Sequence, residues 1–210
     1  MNDTRGPGSP AGTGEGRDPD STLLARAARG EAAAFDRLVR KHTPRMYRVA
    51  LRLTGSAAEA EDVVQEAWLS AWRAMPGFRG EAAVSTWLYR VVTNTALASL
   101  RRRAPTVSLD AAMGHGGGGD DPGGTLFGKG ALSDPHANPE GKVVRAEQVG
   151  AVLHAIGQLE LSQRVPLVLK ELEALSYEEV AQVLAVSVPA LRARLHRARV
   201  ALLARLGTRL

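Results

Sequence analysis

The chain contains no cysteine. That absence removes disulfides, thiol nucleophiles and zinc sites built on thiolates, and it suits a reducing, cytoplasmic setting. No apolar run approaches the roughly 20 residues that a membrane helix needs, so no membrane insertion is expected. Aromatic residues are scarce, at 4% against 44% hydrophobic. The apolar content is mostly Ala, Val and Leu, which favours small helical cores over a sandwich or barrel. The five histidines are scattered, and none has metal-ligand spacing with another or with a carboxylate. The glycines at 116–119 lack a flanking strand and do not form a nucleotide fingerprint. No Ser/His/Asp arrangement is visible. We therefore expect no catalytic residues, no metal, no cofactor and no small-molecule substrate.

What is present points to an acidic partner. The formal charge is +5 and the isoelectric point is near 10.1, which suits nucleic acid or an anionic surface. The opening segment, MNDTRGPGSPAGTGEGRDPD, is polar and rich in Gly and Pro. Residues 1–22 read as a disordered tail, neither signal peptide nor anchor. Residues 23–103 carry helical patterns almost without interruption. Residues 104–141 include GHGGGGDDPGG and SDPHANPEG, where glycine raises chain entropy and proline removes amide donors, and they read as a flexible linker. Helical periodicity returns over 142–210. The expected fold class is all-α: two small helical domains, a bundle and a helix-turn-helix, joined by a long linker.

Within the first block, Phe35, Leu38, Val39, His42, Met46, Val49 and Leu53 recur at helical spacing. Pro44 falls inside that pattern and predicts a kink or short break, and Thr54-Gly55 ends the element. Ser56 with Glu59 has the form of a capping box and opens a helix from about 57 to 74. Its apolar stripe is Val63, Val64, Ala67, Trp68, Ala71 and Met75. Pro76-Gly77 stops it, and Ser85 is a candidate N-cap for a third helix ending at Arg101-Arg102-Arg103.

Three surfaces differ in chemistry. The second of these helices is acidic along its solvent side, with Glu59, Glu61, Asp62, Gln65 and Glu66, and Arg73 as its one basic residue. An ordinary solvated face would look the same, but phosphates would repel such a patch, and docking to a basic protein gives it a use. The third helix and the preceding loop place Phe78, Trp87 and Tyr89 among Arg79, Arg90 and Arg101 to Arg103, with Asn94 between. That mixture suits single-stranded DNA, because bases stack on rings while guanidinium groups hold the backbone. Trp87 reads more readily as core, and Tyr89 is compatible with either role. In the last block, Ser176 with Glu179 forms a capping box before YEEVAQVL. A turn at 185–187 follows, and then a helix reading LRARLHRARVALLARL. This is the pattern of a helix-turn-helix. Leu191, Leu195, Ala198 and Leu202 would face inward. Arg192, Arg194, His196, Arg197 and Arg199 would lie around the rest of the helix.

Three stretches together, EAEDVVQEAWLSAWR, FRGEAAVSTWLYRVVTNTALASLRRR and LSYEEVAQVLAVSVPALRARLHRARVAL, resemble the two domains of extracytoplasmic-function sigma factors of the sigma-70 family. The resemblance implies a non-enzymatic subunit of RNA polymerase that selects promoters. It implies that Glu59, Asp62, Gln65 and Glu66 dock on core polymerase, at the clamp of its largest subunit, with the flap as a further contact. It implies that Phe78, Arg79, Tyr89 and Asn94 capture a flipped base of the minus-10 element, with Arg101, Arg102 and Arg103 on phosphates. It places Arg192, Ala193, Arg194, His196, Arg197 and Arg199 at the minus-35 duplex. An anti-sigma partner is implied as well.

Some positions depart from the family pattern. Leu161 stands where proline is usual. Pro166 stands inside LSQRVPLVLKELEAL, which is expected to start later or bend. Ala193 stands where a hydroxyl residue is common. A stand-alone helix-turn-helix regulator is the competing reading, but it lacks a ligand-pocket or phosphoacceptor signature and leaves the acidic helix unexplained. An enzyme acting on nucleic acid lacks any catalytic constellation.

Overall fold

The computed structural model describes residues 18–103 and 149–207. The expected linker over 104–141 and the expected tail over 1–17 lie outside the described residues. Residues 19–22, which composition assigned to the tail, are helical: α1 spans Pro19–Ala28. Asp18 caps it, its carboxylate accepting from the Asp20 amide at 3.1 Å, and Pro19 occupies the first turn, where a missing N–H costs little. Leu24 and Ala27 of α1 are buried in the core.

α2 spans Ala32–Thr54 and runs unbroken through Pro44, so the expected break is absent. Pro44 and Arg40 are both exposed, and the Arg40 carbonyl that loses its amide partner can turn to water. The stripe Leu38, His42, Met46, Val49 and Leu53 is buried on both sides of the proline and holds the two halves on one axis. Gly55, at φ 77°, ends the helix with its amide on the Leu51 carbonyl, a left-handed conformation that glycine adopts without steric cost.

α3 spans Ala57–Ala74. The Ser56 hydroxyl accepts from the Glu59 amide, but the expected reciprocal half of the box is not made, because the Glu59 carboxylate pairs with Arg103 instead. A short 3-10 turn, Met75–Gly77, follows. α4 spans Val84–Arg103 and begins one residue before Ser85, the expected cap. Its Val84 amide lies 3.4 Å from the Asp18 carboxylate, so Asp18 serves the starts of two helices. Helices α1 to α4 pack around one another and form the first unit.

The second unit begins with helical residues 149–157, here α5. α6 spans Leu161–Leu167, contains Pro166 and passes into a π-helical turn, Val168–Leu172. The helix does not start late, and its hydrogen-bond register widens just after the proline. The Glu173 amide accordingly reaches back to the Val168 carbonyl at 3.0 Å. α7 spans Tyr177–Leu184 with both halves of the Ser176–Glu179 capping box formed. After the turn at Ala185, α8 spans Val188–Gly207, with its Ala190 amide on the Ser187 hydroxyl. Leu191, Leu195 and Ala198 are fully buried and pack α8 on α6 and α7.

The two units meet through α2, α4, α6 and α7, and the buried apolar residues of both form one continuous cluster. Arg164 ties the meeting point together. Its guanidinium donates to the carbonyls of Leu53 (2.9 Å) and Leu159 (2.8 Å) and to that of Gly157. These carbonyls sit at the ends of α2 and α5, where the helix dipoles leave partial negative charge. A buried cation with no carboxylate partner is tolerable there, although burial lowers its pKa.

A second polar cluster fixes α1 to α2. The buried Asp20 carboxylate accepts from Lys41 Nζ at 2.7 Å and from His42 Nε2 at 2.9 Å. Burial holds the His42 imidazole below its ordinary pKa against the pull of Asp20, with Lys41 and Arg45 acting in the same direction as burial. Burial also disfavours the Asp20 carboxylate, but Lys41 and His42 outweigh it and hold its pKa below the ordinary value. Both groups therefore bind protons less readily in the folded chain than in the unfolded one. Their contribution is complete above about pH 6.5, the ordinary His value, and is lost as pH falls, first through His42 and then, in strong acid, through Asp20. The melting temperature is expected to drop between about pH 7.5 and about pH 5, with His42→Gln flattening the slope. A melting temperature independent of pH over that range would contradict this assignment.

Candidate nucleic-acid interface

α3 presents one continuous strip to solvent. Glu61, Asp62, Gln65 and Glu66 are exposed near its start. The same face continues at i+4 and i+7 from Gln65 with Leu69 and Trp72, which are 52% and 43% exposed. The expectation from sequence included the acidic half and missed the apolar half, although the helical spacing carried it. The Trp72 ring is not loose: Phe35 meets it edge-on with centroids 4.8 Å apart. Two of the acids are engaged. Glu66 pairs with Arg102 at 3.1 Å, and Glu59, largely buried, pairs with Arg103. The acidic strip and the arginine run, expected as separate surfaces, are thus in contact along one edge, while Arg101 is exposed.

The loop between α3 and α4 borders a half-open surface cavity of about 390 Å³. Phe78, Arg79, Thr86, Trp87 and Arg90 line it, with the Phe78 and Trp87 rings edge-on at 5.4 Å. Trp87 is buried, as core packing predicted, and it nevertheless forms a cavity wall. An aromatic corner flanked by two exposed guanidinium groups can take a planar base and its phosphate. Of the residues expected here, Phe78 and Arg79 are in the cavity. Tyr89 and Asn94 are not among its lining residues. Asn94 is exposed further along α4. Tyr89 is buried and turned the other way, its hydroxyl donating to Glu173 at 3.1 Å. The side chain that sequence left open between core and base platform is a buried one in this conformation. One further lining residue, Gln182, comes from α7 of the second unit.

On α8, Arg192, Ala193, Arg194, His196, Arg197 and Arg199 are all exposed. The Arg192 guanidinium lies over the Tyr177 ring, 5.4 Å from its centroid. Arg199 is drawn aside by Glu171, at 2.5 Å, and is less available to a phosphate than its neighbours. Pro189 falls in the first turn of α8, before the basic face begins. The arrangement is that of a second helix able to enter a major groove N-terminus first.

Sequence reasoning missed the cluster around Glu173. Its side chain is 2% exposed. The carboxylate accepts from Arg52 at 2.5 Å, from Arg48 at 3.2 Å and from the Tyr89 hydroxyl at 3.1 Å. Burial, and then the charge of Glu173, push the Tyr89 phenol up to about 12, so it remains a donor at any physiological pH. Nothing local marks Glu173 in LKELEAL, because its partners lie 84 to 125 residues away.

Among the described residues no group of His, Cys, Asp and Glu side chains is placed to hold a metal ion, and no helix is long and apolar enough to cross a membrane.

A helical unit with an aromatic-lined pocket, packed beside a helix-turn-helix with a basic second helix, has the form of a DNA-binding protein. Comparison with known proteins narrows the class. Residues 38–106 match Sigma-70 region 2, and residues 150–202 match Sigma-70 region 4. The RNA polymerase sigma-H factor of Pseudomonas aeruginosa is 38% identical over 189 residues, covering 89% of this chain and 93% of that protein. The ECF RNA polymerase sigma-E factor of Escherichia coli K12 is 34% identical over 186 residues, covering 87% and 92%. Among solved structures, CnrH in complex with the cytosolic domain of CnrY aligns with a TM-score of 0.63 at 25% identity, covering 91% of this chain and 99% of that one. The Bartonella quintana sigma factor RpoE, in complex with the anti-sigma factor NepR, shares the fold at a TM-score of 0.58. The chain belongs to the extracytoplasmic-function sigma factors of the sigma-70 family, and its function is that of an RNA polymerase sigma factor.

The Glu66–Arg102 pair is half exposed on both sides and contributes under about 1 kcal/mol by analogy with other surface pairs. Glu66→Gln and Arg102→Gln are each expected to leave the melting temperature within about 2 °C of the parent. A larger loss in a thermal melt would show that the pair is structural and that α3 is not free to serve a partner.

Proposed function

We propose that the chain directs core RNA polymerase to promoters by reading each promoter twice, as duplex with α8 and as melted strand at the Phe78–Trp87 cavity. The observation that carries this reading is the cavity itself: two aromatic rings and two exposed arginines at a loop, on the same chain as a basic recognition helix. Capturing an unstacked base favours the melted strand, so the protein needs no nucleotide hydrolysis and no chemistry of its own. Arg79 and Arg90 beside the cavity, with Arg101 beyond, would hold phosphates of the displaced strand. Arg192, Ala193, His196 and Arg197 would meet the minus-35 bases and backbone, and Ala193, lacking a polar group, would contribute shape or a methyl contact.

The strip on α3 is the proposed docking site on core polymerase. Asp62 and Glu66 would face basic residues of the clamp, while Leu69 and Trp72 would be covered on binding and supply desolvated apolar area. The second unit would reach the flap. Each DNA contact is weak by itself, and polymerase supplies the geometry that lets the two act together. Structural relatives are seen in complexes, CnrH with the cytosolic domain of CnrY and RpoE with the anti-sigma factor NepR. We infer that an anti-sigma partner of the same kind binds this chain.

Run-off transcription with purified core polymerase and a pool of promoter DNA tests the reading. Initiation at a discrete sequence class is expected to depend on this protein. The double variant Asp62→Lys with Glu66→Lys is expected to lower it at least about tenfold through loss of core binding. Arg197→Ala is expected to lower initiation without weakening core binding. Initiation that survives the α3 reversal unchanged, or free protein that footprints a duplex site by itself, would overturn the reading.

A further inference from the structure

In the described conformation the second unit covers part of the site that the first would offer to DNA. α7 packs against α4, and Gln182 of α7 lines the cavity beside Phe78 and Trp87. Tyr89, on the same helix as Trp87, is held by a carboxylate from the second unit. That carboxylate, Glu173, stands at the exit of a π-helical turn and is followed by Ala174 in a left-handed conformation, φ 55°. A widened turn and a strained residue are what push this side chain out of its own unit and into the cleft between α2 and α4.

We propose that Glu173 is a latch: bound by Arg48, Arg52 and Tyr89, it holds the second unit over the cavity, so that the free chain is closed to single-stranded DNA until the two units separate. The proposal rests on reading the cavity as the site of the melted strand. A carboxylate this buried needs strong donors, and it has them from three side chains. Tyr89 is buried as well, but the two arginine partners are not similarly sealed. Arg52 is 21% and Arg48 43% exposed, so both can rehydrate readily when the carboxylate withdraws. The seal is therefore strong while shut and reversible once opened. The stretch between Arg103 and Val149 is long enough for the units to part without unfolding either. Any partner that favours the separated form opens the latch by its difference in affinity for the two forms.

The absence of cysteine in the chain makes the test direct. Thr22→Cys on α1 and Leu203→Cys on α8, both exposed, allow a dye pair to be placed across the two units of the full-length protein. The parent is expected to show one high-transfer population in single-molecule measurements. Glu173→Gln keeps the shape and removes the charge, and it is expected to reduce the ratio of closed to open chain at least about tenfold. Arg52→Gln, acting from the other side of the pair, is expected to shift it in the same direction, and far-UV circular dichroism shows whether each variant keeps its helices. In parallel, anisotropy of a fluorescein-labelled single-stranded oligonucleotide is expected to report about tenfold tighter binding by Glu173→Gln than by the parent. A parent already open, or folded variants whose transfer matches the parent, would overturn the latch. Opening without a gain in oligonucleotide binding would overturn the occlusion, and would place the fault in the reading of the cavity rather than in the latch.

Discussion

The burial of one carboxylate constrains much of this structure. Glu173 is removed from water, and its charge is tolerable only because two arginines of α2 and a tyrosine of α4 converge on it. That convergence requires α2 and α4 to lie side by side, and it requires α6 to end in a widened turn that projects the side chain outward. The neighbouring Arg164 makes the complementary contact, a buried cation on the carbonyl ends of α2 and α5. The two units are thus joined by one buried carboxylate held by first-unit donors and by one largely buried guanidinium that donates to carbonyls of both units while its Nε finds no partner, with apolar packing around them. Such contacts specify a single mutual arrangement, because any slip leaves a charge buried without a partner.

This arrangement bears directly on a sigma factor. The units that would read the two promoter elements are held together by polar contacts that partly face solvent. They are also held so that a residue of one lines the cavity of the other. A chain closed in this way would have little tendency to occupy DNA by itself, consistent with a protein whose DNA contacts matter when polymerase spaces them. The strip on α3 that is proposed to dock on polymerase, by contrast, remains open to solvent in the closed form. Under that proposal, recognition of polymerase can precede uncovering of the Phe78–Trp87 cavity.

Much of the helical architecture was legible from sequence because its signals are local. The capping box at Ser176 and Glu179, the turn at 185–187 and the inward spacing of Leu191, Leu195 and Ala198 each involve residues a few positions apart, and each is found in place. The start of α1 was missed because the Asp18-Pro19 signal was embedded in a Gly/Pro-rich stretch that composition marks as tail. Pro44 misled because the cost of a helical proline depends on whether the orphaned carbonyl can reach water, which sequence does not state. Pro166 was rightly singled out, but its effect was a change of hydrogen-bond register rather than a late start. The Glu173 cluster was not legible at all. Its arginines are 121 and 125 residues away, and Glu171, two positions earlier in the same run, looks identical in sequence yet stays at the surface. The fate of Tyr89 was undecided for the same reason, since its partner lies in the other unit.

The central claim is that the closed chain is the resting form and must open to work, and a reversible covalent tether tests it most directly. With Arg90→Cys and Gln182→Cys, both lining the cavity from opposite units, a short reducible bismaleimide can hold the full-length chain shut. Run-off transcription with core polymerase is then compared before and after reduction of the linker, so that the same double variant serves as its own control. The account predicts that the tethered chain fails to initiate and that reduction restores initiation to the level of the untethered variant. Equal initiation by the tethered and released chains would contradict it, and would mean that these two units read promoters without ever coming apart.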